Sequence, residues 1–197
     1  MFNQDSMEQQ IPYYLTRPRA EGLLAELEKF RRSEPIDYFI DGCPEEMLQG
    51  DCWSGLKVVD IRSDRSQCIK GVVLSNSCDV DPGNRRDFPA KIVFAPIVSL
   101  DSYIDRLERA GVPSSSLEGK LASIRRQRIT NLFYLPSGGP LSGEHIVLLD
   151  DVHCVPLDYF WAGESGSKVF TLSQVGFYLF VFKLSIHFCR FHEEVQR

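Results

Sequence analysis

Three short apolar runs, each carrying a polar tag, most constrain what this chain can fold into. The first opens with a Gly-Asp-Cys-Trp segment at 50–53, the second lies at 72–79 and ends in Cys-Asp, and the third lies at 92–99. Apolar runs of strand length that are bounded by turn residues are typical of β-strands. Together the three runs predict a small β-barrel with a polar edge where the strands end.

The length and charge of the chain restrict the classes of protein to which it can belong. Its 197 residues suffice for one domain, or for one domain with a helical appendage. A net charge of -5 argues against a protein coated in nucleic acid, while leaving room for a local basic patch. The six cysteines stand singly and residues 1–10 show no secretion signal, so we expect reduced thiols in a cytoplasmic protein.

Apolar patterns and turn residues outline the strands of the predicted barrel. Glycine, proline and aspartate cluster between the apolar runs, as expected for turns. The predicted strands cover residues 50–62, 67–76, 90–98, 132–135 and 145–149. The side chains expected to face the core are Val73, Ile92, Phe94, Val147 and Leu149.

Other segments show the apolar spacing of helices. Residues 18–32 predict an N-terminal helix that follows a loosely held arm. Residues 100–128 predict two helices, separated by a Gly-Val-Pro-Ser break at 111–114, which form a helical hairpin inserted between strands. A last helix is predicted over 173–195.

The C-terminal helix is apolar on nearly all sides between residues 175 and 188. It is too short for a membrane span and Lys183 interrupts it, so no membrane association is expected. One face is predicted to pack on the barrel or the first helix, through Leu172, Val175, Leu179, Phe182 and Ile186. A second face is expected to meet the hairpin, a partner protein or a second copy of the chain, through Phe177, Phe180, Leu184 and Phe188.

Several short motifs of the predicted strands resemble motifs of the PemK/MazF-like family of SH3-like barrels. The shared features are Gly-Asp at a strand start, Val-Val-Leu-Ser-Asn at the end of the next strand, Ala-Pro-Ile before a small polar residue, and the strand at 145–152. The resemblance implies a small SH3-like, mainly antiparallel β-barrel. The N-terminal helix, the inserted helical hairpin and the long C-terminal helix are additions to that family's compact pattern, and together they give an α+β fold. The implied domain limits are 1–49, 50–160 with the insertion at 100–128, and 161–197.

Known members of that family are mostly toxins of toxin–antitoxin pairs that cut single-stranded RNA without a metal. The resemblance places the family's catalytic arginine at Lys70 or Gly71, and its threonine at Val98, with Ser99 one residue further on. Lysine lacks the planar fork of arginine, and a shift of one residue along a strand turns a side chain to the other face. We therefore expect a diverged binding module for protein or nucleic acid, including single-stranded RNA, in a toxin–antitoxin or phage-defence system. A metal-independent RNA endonuclease is the alternative.

Polar residues at the strand ends are the candidates for chemistry. Cys78 is either a thiolate nucleophile or a small buried residue beside a turn capped by Asp79. A cleft around these two residues is predicted to survive as a binding site even without catalysis. The full set of catalytic candidates is Lys70, Ser75, Cys78, Asp79, Ser99 and His153.

Metal sites are less favoured than these candidates. Asp51, Asp79 and Asp81 could supply the oxygen ligands that Mg²⁺ prefers, but turns explain the same residues. His153 and the His-Cys-His pattern at 187–192 lack the paired spacing of zinc sites. No metal and no cofactor are therefore expected.

Two basic clusters are candidates for nucleic-acid contact. Arg125, Arg126 and Arg128 form the densest one, in the hairpin, where they could bind a phosphate backbone or cap a solvated helix end. Arg85 and Arg86 lie in the loop after Cys-Asp and could place positive charge over the open end of the barrel.

Overall fold

A computed structural model of the chain describes residues 36–41, 45–84, 86–163 and 166–188. The helix predicted over 18–32, Arg85 and the segment 189–197 lie outside the described residues. All elements given below belong to one compact unit, Tyr38–Arg197.

The described residues contain seven strands and five helices. The strands are β1 Cys52–Asp60, β2 Arg65–Val73, β3 Lys91–Ser99, β4 Leu132–Leu135, β5 His145–Leu148, β6 His153–Pro156 and β7 Lys168–Phe170. The helices are α1 Ser77–Val80, α2 Leu100–Arg109, α3 Ser114–Arg125, α4 Leu157–Ala162 and α5 Gln174–Phe188.

The strands form one sheet in the order β4-β5-β3-β2-β1-β7, and β6 joins it by pairing with β3. Every strand pair in the described part of the chain is antiparallel. The predicted α+β class with a mainly antiparallel sheet is thus confirmed. Closure of the sheet into an SH3-like barrel stays a prediction.

Strand β3 is the centre of the sheet, since it pairs with three neighbours along its length. It meets β6 through 91–94, β2 through 94–96 and β5 through 97–99. β1 and β2 form a hairpin whose turn includes Asp64 at a φ of 52°, a conformation that Asp tolerates better than most residues. A bulge in β1 between Trp53 and Leu56 bends this hairpin, with Gly55 at a φ of 75°.

Two apolar clusters lie within the described unit. The five side chains predicted to face the core are all fully buried. One cluster joins the inner faces of β1, β2, β3 and β6 to α4, through residues such as Leu56, Phe94 and Phe160. The other fixes the hairpin to the sheet, through Leu100 and Ile124 from the helices and Ile146 from β5.

The predicted helical hairpin is present as α2 and α3. Ser99 caps α2, because its Oγ accepts a hydrogen bond from the amide of Ser102 at 3.2 Å. Gly111, at a φ of 81°, follows the end of α2, and Pro113 precedes α3, as the sequence pattern requires. Glycine and proline therefore end one helix and begin the next.

The C-terminal helix α5 packs on the unit through a face that differs in part from the predicted one. Val175 and Leu179 are buried as expected. Phe180, assigned to the second face, is fully buried and packs edge-on to Phe133 at 5.2 Å, so this part of the second face is covered within the chain. Phe182 and Ile186 are only half-buried. None of the described helices combines the length and apolarity needed to cross a membrane.

Lys183 lies on this buried face rather than interrupting it at the surface. Its side chain is 4% exposed, and its Nζ donates a hydrogen bond to the carbonyl oxygen of Gln127. Burial lowers the pKa of Lys183 to about 8, because the charged form loses its hydration.

We expect Lys183→Met to raise the free energy of unfolding at pH 7 by about 1–2 kcal/mol, since a buried charge is replaced by an apolar chain. From pH 8 to 10.5 the folded lysine is largely neutral while the unfolded one keeps its proton, so the wild type gains stability as pH rises. Urea melts across this range should show the advantage of the variant shrinking. A pH-independent loss in the variant would contradict this, and Lys91→Met at the exposed end of β3 serves as the control.

Candidate binding groove beside the Cys78 turn

The predicted Cys-Asp cluster forms a capped turn at the end of β2. Asn76 accepts a hydrogen bond from the amide of Cys78 on its Oδ1 at 3.1 Å, which starts the short helix α1. Val80 anchors α1 in the core, whereas Cys78 and Asp79 face solvent. The alternative of Cys78 as a buried residue is therefore wrong, but its thiol has no basic partner in the described residues.

The backbone carbonyl of Cys78 holds the following loop in place. It accepts a hydrogen bond from Asn84 Nδ2 at 2.6 Å and another from Arg86 Nη2. Arg86 Nη1 also lies 4.0 Å from Asp79 Oδ1. The guanidinium predicted to contact phosphate thus fastens loop 81–90 to α1, and Arg85 lies outside the described residues.

A groove opens to solvent between the described loop residues, 81–84 and 86–90, and helix α4, and we call it the loop–α4 groove. Two adjoining depressions of 410 and 330 Å³ form it. Both depressions lie where the loop approaches the start of β3. There the amide of Leu157 donates a hydrogen bond to the carbonyl oxygen of Ala90. Its apolar lining consists of Pro82, Phe88, Pro89, Ala90, Leu157 and Trp161.

Aromatic rings in the loop–α4 groove are unusually accessible. Phe88 is 84% exposed, and Trp161 is 44% exposed although one edge packs against Trp53 at 5.4 Å between ring centroids. Phe160, which directly precedes Trp161 in the chain, is buried in the core. Tyr159, also exposed, carries Lys57 above its ring at 5.2 Å. These rings supply exposed apolar surface that a partner could cover.

Carboxylates outnumber cations along the groove. Asp81, Asp87 and Asp158 line it, against one described cation, Arg86. Asp81 accepts a hydrogen bond from the amide of Gly83, and Asp158 from that of Tyr159. These bonds orient two of the carboxylates without neutralising them.

The six catalytic candidates are not joined to one another by any hydrogen bond or ion pair within the described residues. Ser75 Oγ accepts a hydrogen bond from the amide of Val93 at 2.7 Å. Ser99 Oγ caps α2. His153 Nε2 lies 2.9 Å from Asp151 Oδ1. Each of these three polar groups is thus occupied by local structure.

The positions to which the resemblance assigns catalytic residues hold an exposed lysine, a glycine and a packed valine. Lys70 is exposed on β2. A Cβ at Gly71 would lie 2.8 Å from Phe94 Cδ2 and 3.0 Å from the carbonyl oxygen of Ala95, so no side chain fits there. Val98, where the resemblance places the threonine, packs against the hairpin cluster. Among the described candidates, His153 contacts the carboxylate of Asp151, but no hydrogen bond or ion pair joins that pair to Lys70.

The basic cluster of the hairpin is partly used for structure. Arg125 makes two hydrogen bonds to Glu144, at 2.8 and 2.7 Å, and Tyr134 donates a third to the same carboxylate. Hydrogen bonds from Arg125 are the main cause that lowers the pKa of Glu144. Arg126 and Arg128 are exposed, and they remain candidates for phosphate contact.

Asp51, predicted among strand-end carboxylates, is instead buried beside a lysine. Its Oδ2 lies 2.7 Å from Lys168 Nζ and accepts a hydrogen bond from the amide of Leu48 at 2.8 Å. Burial raises the pKa of Asp51 more than the lysine lowers it, since Oδ1 is buried without a hydrogen-bond partner in the described residues. No group of three or more metal-ligating side chains occurs in that part of the chain.

The sequence did not point to the residues that form the groove walls. Trp161 belongs to a short aromatic run at 159–161, and nothing in the spacing of such a run tells which ring faces outward. Lys168 sits in a three-residue strand with no measurable period. The one sequence feature that could have indicated the groove is the proline-containing loop at 81–90, which directly follows the predicted cleft.

Fold and groove together define an α+β protein whose antiparallel sheet carries an apolar groove rimmed by carboxylates. The chain matches no known protein-family model, and no curated protein matches it significantly.

Proposed function

We propose that this protein is a binding module that holds a macromolecular partner, protein or nucleic acid, in the loop–α4 groove. The observation that carries the proposal is the exposure of Phe88 and Trp161 on the walls of one groove. Solvated aromatic rings cost free energy that a partner would recover on covering them. The toxin–antitoxin or phage-defence setting is proposed from the resemblance to PemK/MazF-like proteins, as is closure of the sheet into an SH3-like barrel.

Contacts that hold the described parts of the groove in place support a binding role. Trp161 rests on Trp53, and loop 81–90 is fastened through the Cys78 carbonyl by Asn84 and Arg86. A preformed surface loses little conformational entropy on binding. A hydrolytic role, in contrast, needs an acid–base pair and a phosphate-binding cation at one point. The described contacts of Ser75, Ser99 and His153 are instead local ones that do not join the candidates to one another.

We predict that mixed single-stranded RNA stays intact when incubated with the purified protein, with either EDTA or Mg²⁺. The physical reason is that no general base and phosphate-binding cation face one another among the catalytic candidates. Gel analysis of end-labelled RNA measures the result. Cleavage in EDTA that Lys70→Ala abolishes and Lys120→Ala preserves would replace the binding module with the endonuclease alternative.

A further inference from the structure

The loop–α4 groove combines two properties that together restrict its partner. Its apolar lining, which we call the floor, includes Pro82, Pro89 and Leu157, with Phe88 in one depression and Trp161 in the other. Its acidic lining, which we call the rim, consists of Asp81, Asp87 and Asp158. We infer that the partner is a cationic, apolar segment of a polypeptide, an inference that rests on the proposed function of the groove.

The charge of the rim separates a polypeptide from a nucleic acid. A phosphate backbone brings one negative charge per nucleotide, and its binding is driven by neutralising cations. Arg86, the described cation in the groove, already donates to the Cys78 carbonyl and lies 4.0 Å from Asp79. Three carboxylates would therefore repel the backbone, while Lys and Arg side chains of a peptide would be attracted to them.

The apolar floor determines which side chains of the peptide partner accompany its Lys and Arg residues. Phe88 and Trp161 offer ring faces to aliphatic or aromatic side chains, and to proline. The same faces also attract Lys and Arg through cation–π contact. Alternating basic and apolar residues would satisfy floor and rim together, in an extended segment that lies along the groove.

Three fluorescein-labelled probes test the inference. The first is a peptide pool in which Lys or Arg alternates with a mixture of Leu, Phe and Pro. The second has Glu in place of every basic residue, and the third is polyuridine. Fluorescence anisotropy at low ionic strength measures binding, and the emission of Trp161 reports contact with the groove, because Trp53 is buried.

The basic pool should bind, and Asp87→Asn with Asp158→Asn should weaken that binding about tenfold. Asn keeps the oxygen that caps Tyr159, so the fold is retained. Asp105→Asn, at an exposed carboxylate of α2, is the matched control and should change nothing. Phe88→Ser, at a side chain that is 84% exposed, should weaken binding without loss of stability.

The outcomes separate this inference from the proposed function. Equal or tighter binding of the acidic pool would overturn the cationic partner. Binding of polyuridine with a change in Trp161 emission would overturn it too, yet would leave the groove as a binding site. If no probe changes anisotropy or Trp161 emission, both the inference and the proposed function are wrong.

Discussion

Lys168→Met should destabilise the folded protein at pH 7 by about 3–5 kcal/mol, because it leaves a buried carboxylate without its cation. Asp51 is 1% exposed and Lys168 8% exposed, and their charged atoms lie 2.7 Å apart. The ammonium group also donates to the carbonyl of Glu46 and lies 5.3 Å from the centre of the Trp53 ring. Urea-induced unfolding followed by circular dichroism measures the loss.

The loss should depend on pH in a defined direction. The pKa of Asp51 is already raised above its ordinary value of 3.8 by burial, and removal of Lys168 raises it further. Within the window between 3.8 and the folded pKa, the folded state holds the proton and the unfolded state does not, so stability falls as pH rises. The deficit of Lys168→Met should therefore be large at neutral pH and small near pH 4.

A double variant distinguishes the buried charge from simple loss of packing. Asp51→Asn combined with Lys168→Met removes both charges and should be more stable at pH 7 than Lys168→Met alone. If the double variant is as unstable as the single one, or if the deficit is the same at pH 4 and pH 7, the ion pair is not what holds β1 to β7.

The sequence predicted the long elements and two of the short strands. β3 and the helices α2 and α3 extend over nine to twelve residues between turn residues, so their period is visible. β4 and β5, of four residues each, were predicted because their apolar runs flank a glycine- and proline-rich turn. β6, α4 and β7 span three to six residues and were not predicted, because so short a segment has no period and these lack a comparable turn signal. Helix α4 nevertheless lines the groove, and β7 supplies Lys168.

For the candidate site, too, some features could be predicted from the sequence and others could not. The polar cluster after the apolar strand β2 predicted a solvent-facing edge, and Cys78 and Asp79 are exposed there. Ser99 could have been recognised as a helix cap, because it directly precedes the first residue of a predicted helix and serine is a preferred N-cap. No sequence signal joins Asp51 to Lys168, since that pair meets only through tertiary packing. Nor does any signal show that Phe88 and Trp161 line adjoining depressions.

Gly176→Ala should destabilise the protein by about 2–4 kcal/mol, because the backbone leaves no room for a methyl group at that position. A Cβ on Gly176 would lie 2.6 Å from the carbonyl oxygen of Tyr38. That carbonyl accepts a hydrogen bond from the amide of Ser173 at 2.8 Å, just before α5, so the helix cannot move away without breaking it. Thermal and urea unfolding of the variant measure the effect.

Gly119→Ala is the matched control, since it makes the same chemical change in another helix. Nothing lies within 4 Å of a Cβ at Gly119 in α3, so alanine should stabilise the protein by up to about 1 kcal/mol through helix propensity and a smaller unfolded ensemble. Opposite signs for the two variants would establish that α5 sits against the backbone of Tyr38. A neutral or stabilising Gly176→Ala would show that the helix lies further out, and the buried position of Lys183 on the same face would then be wrong as well.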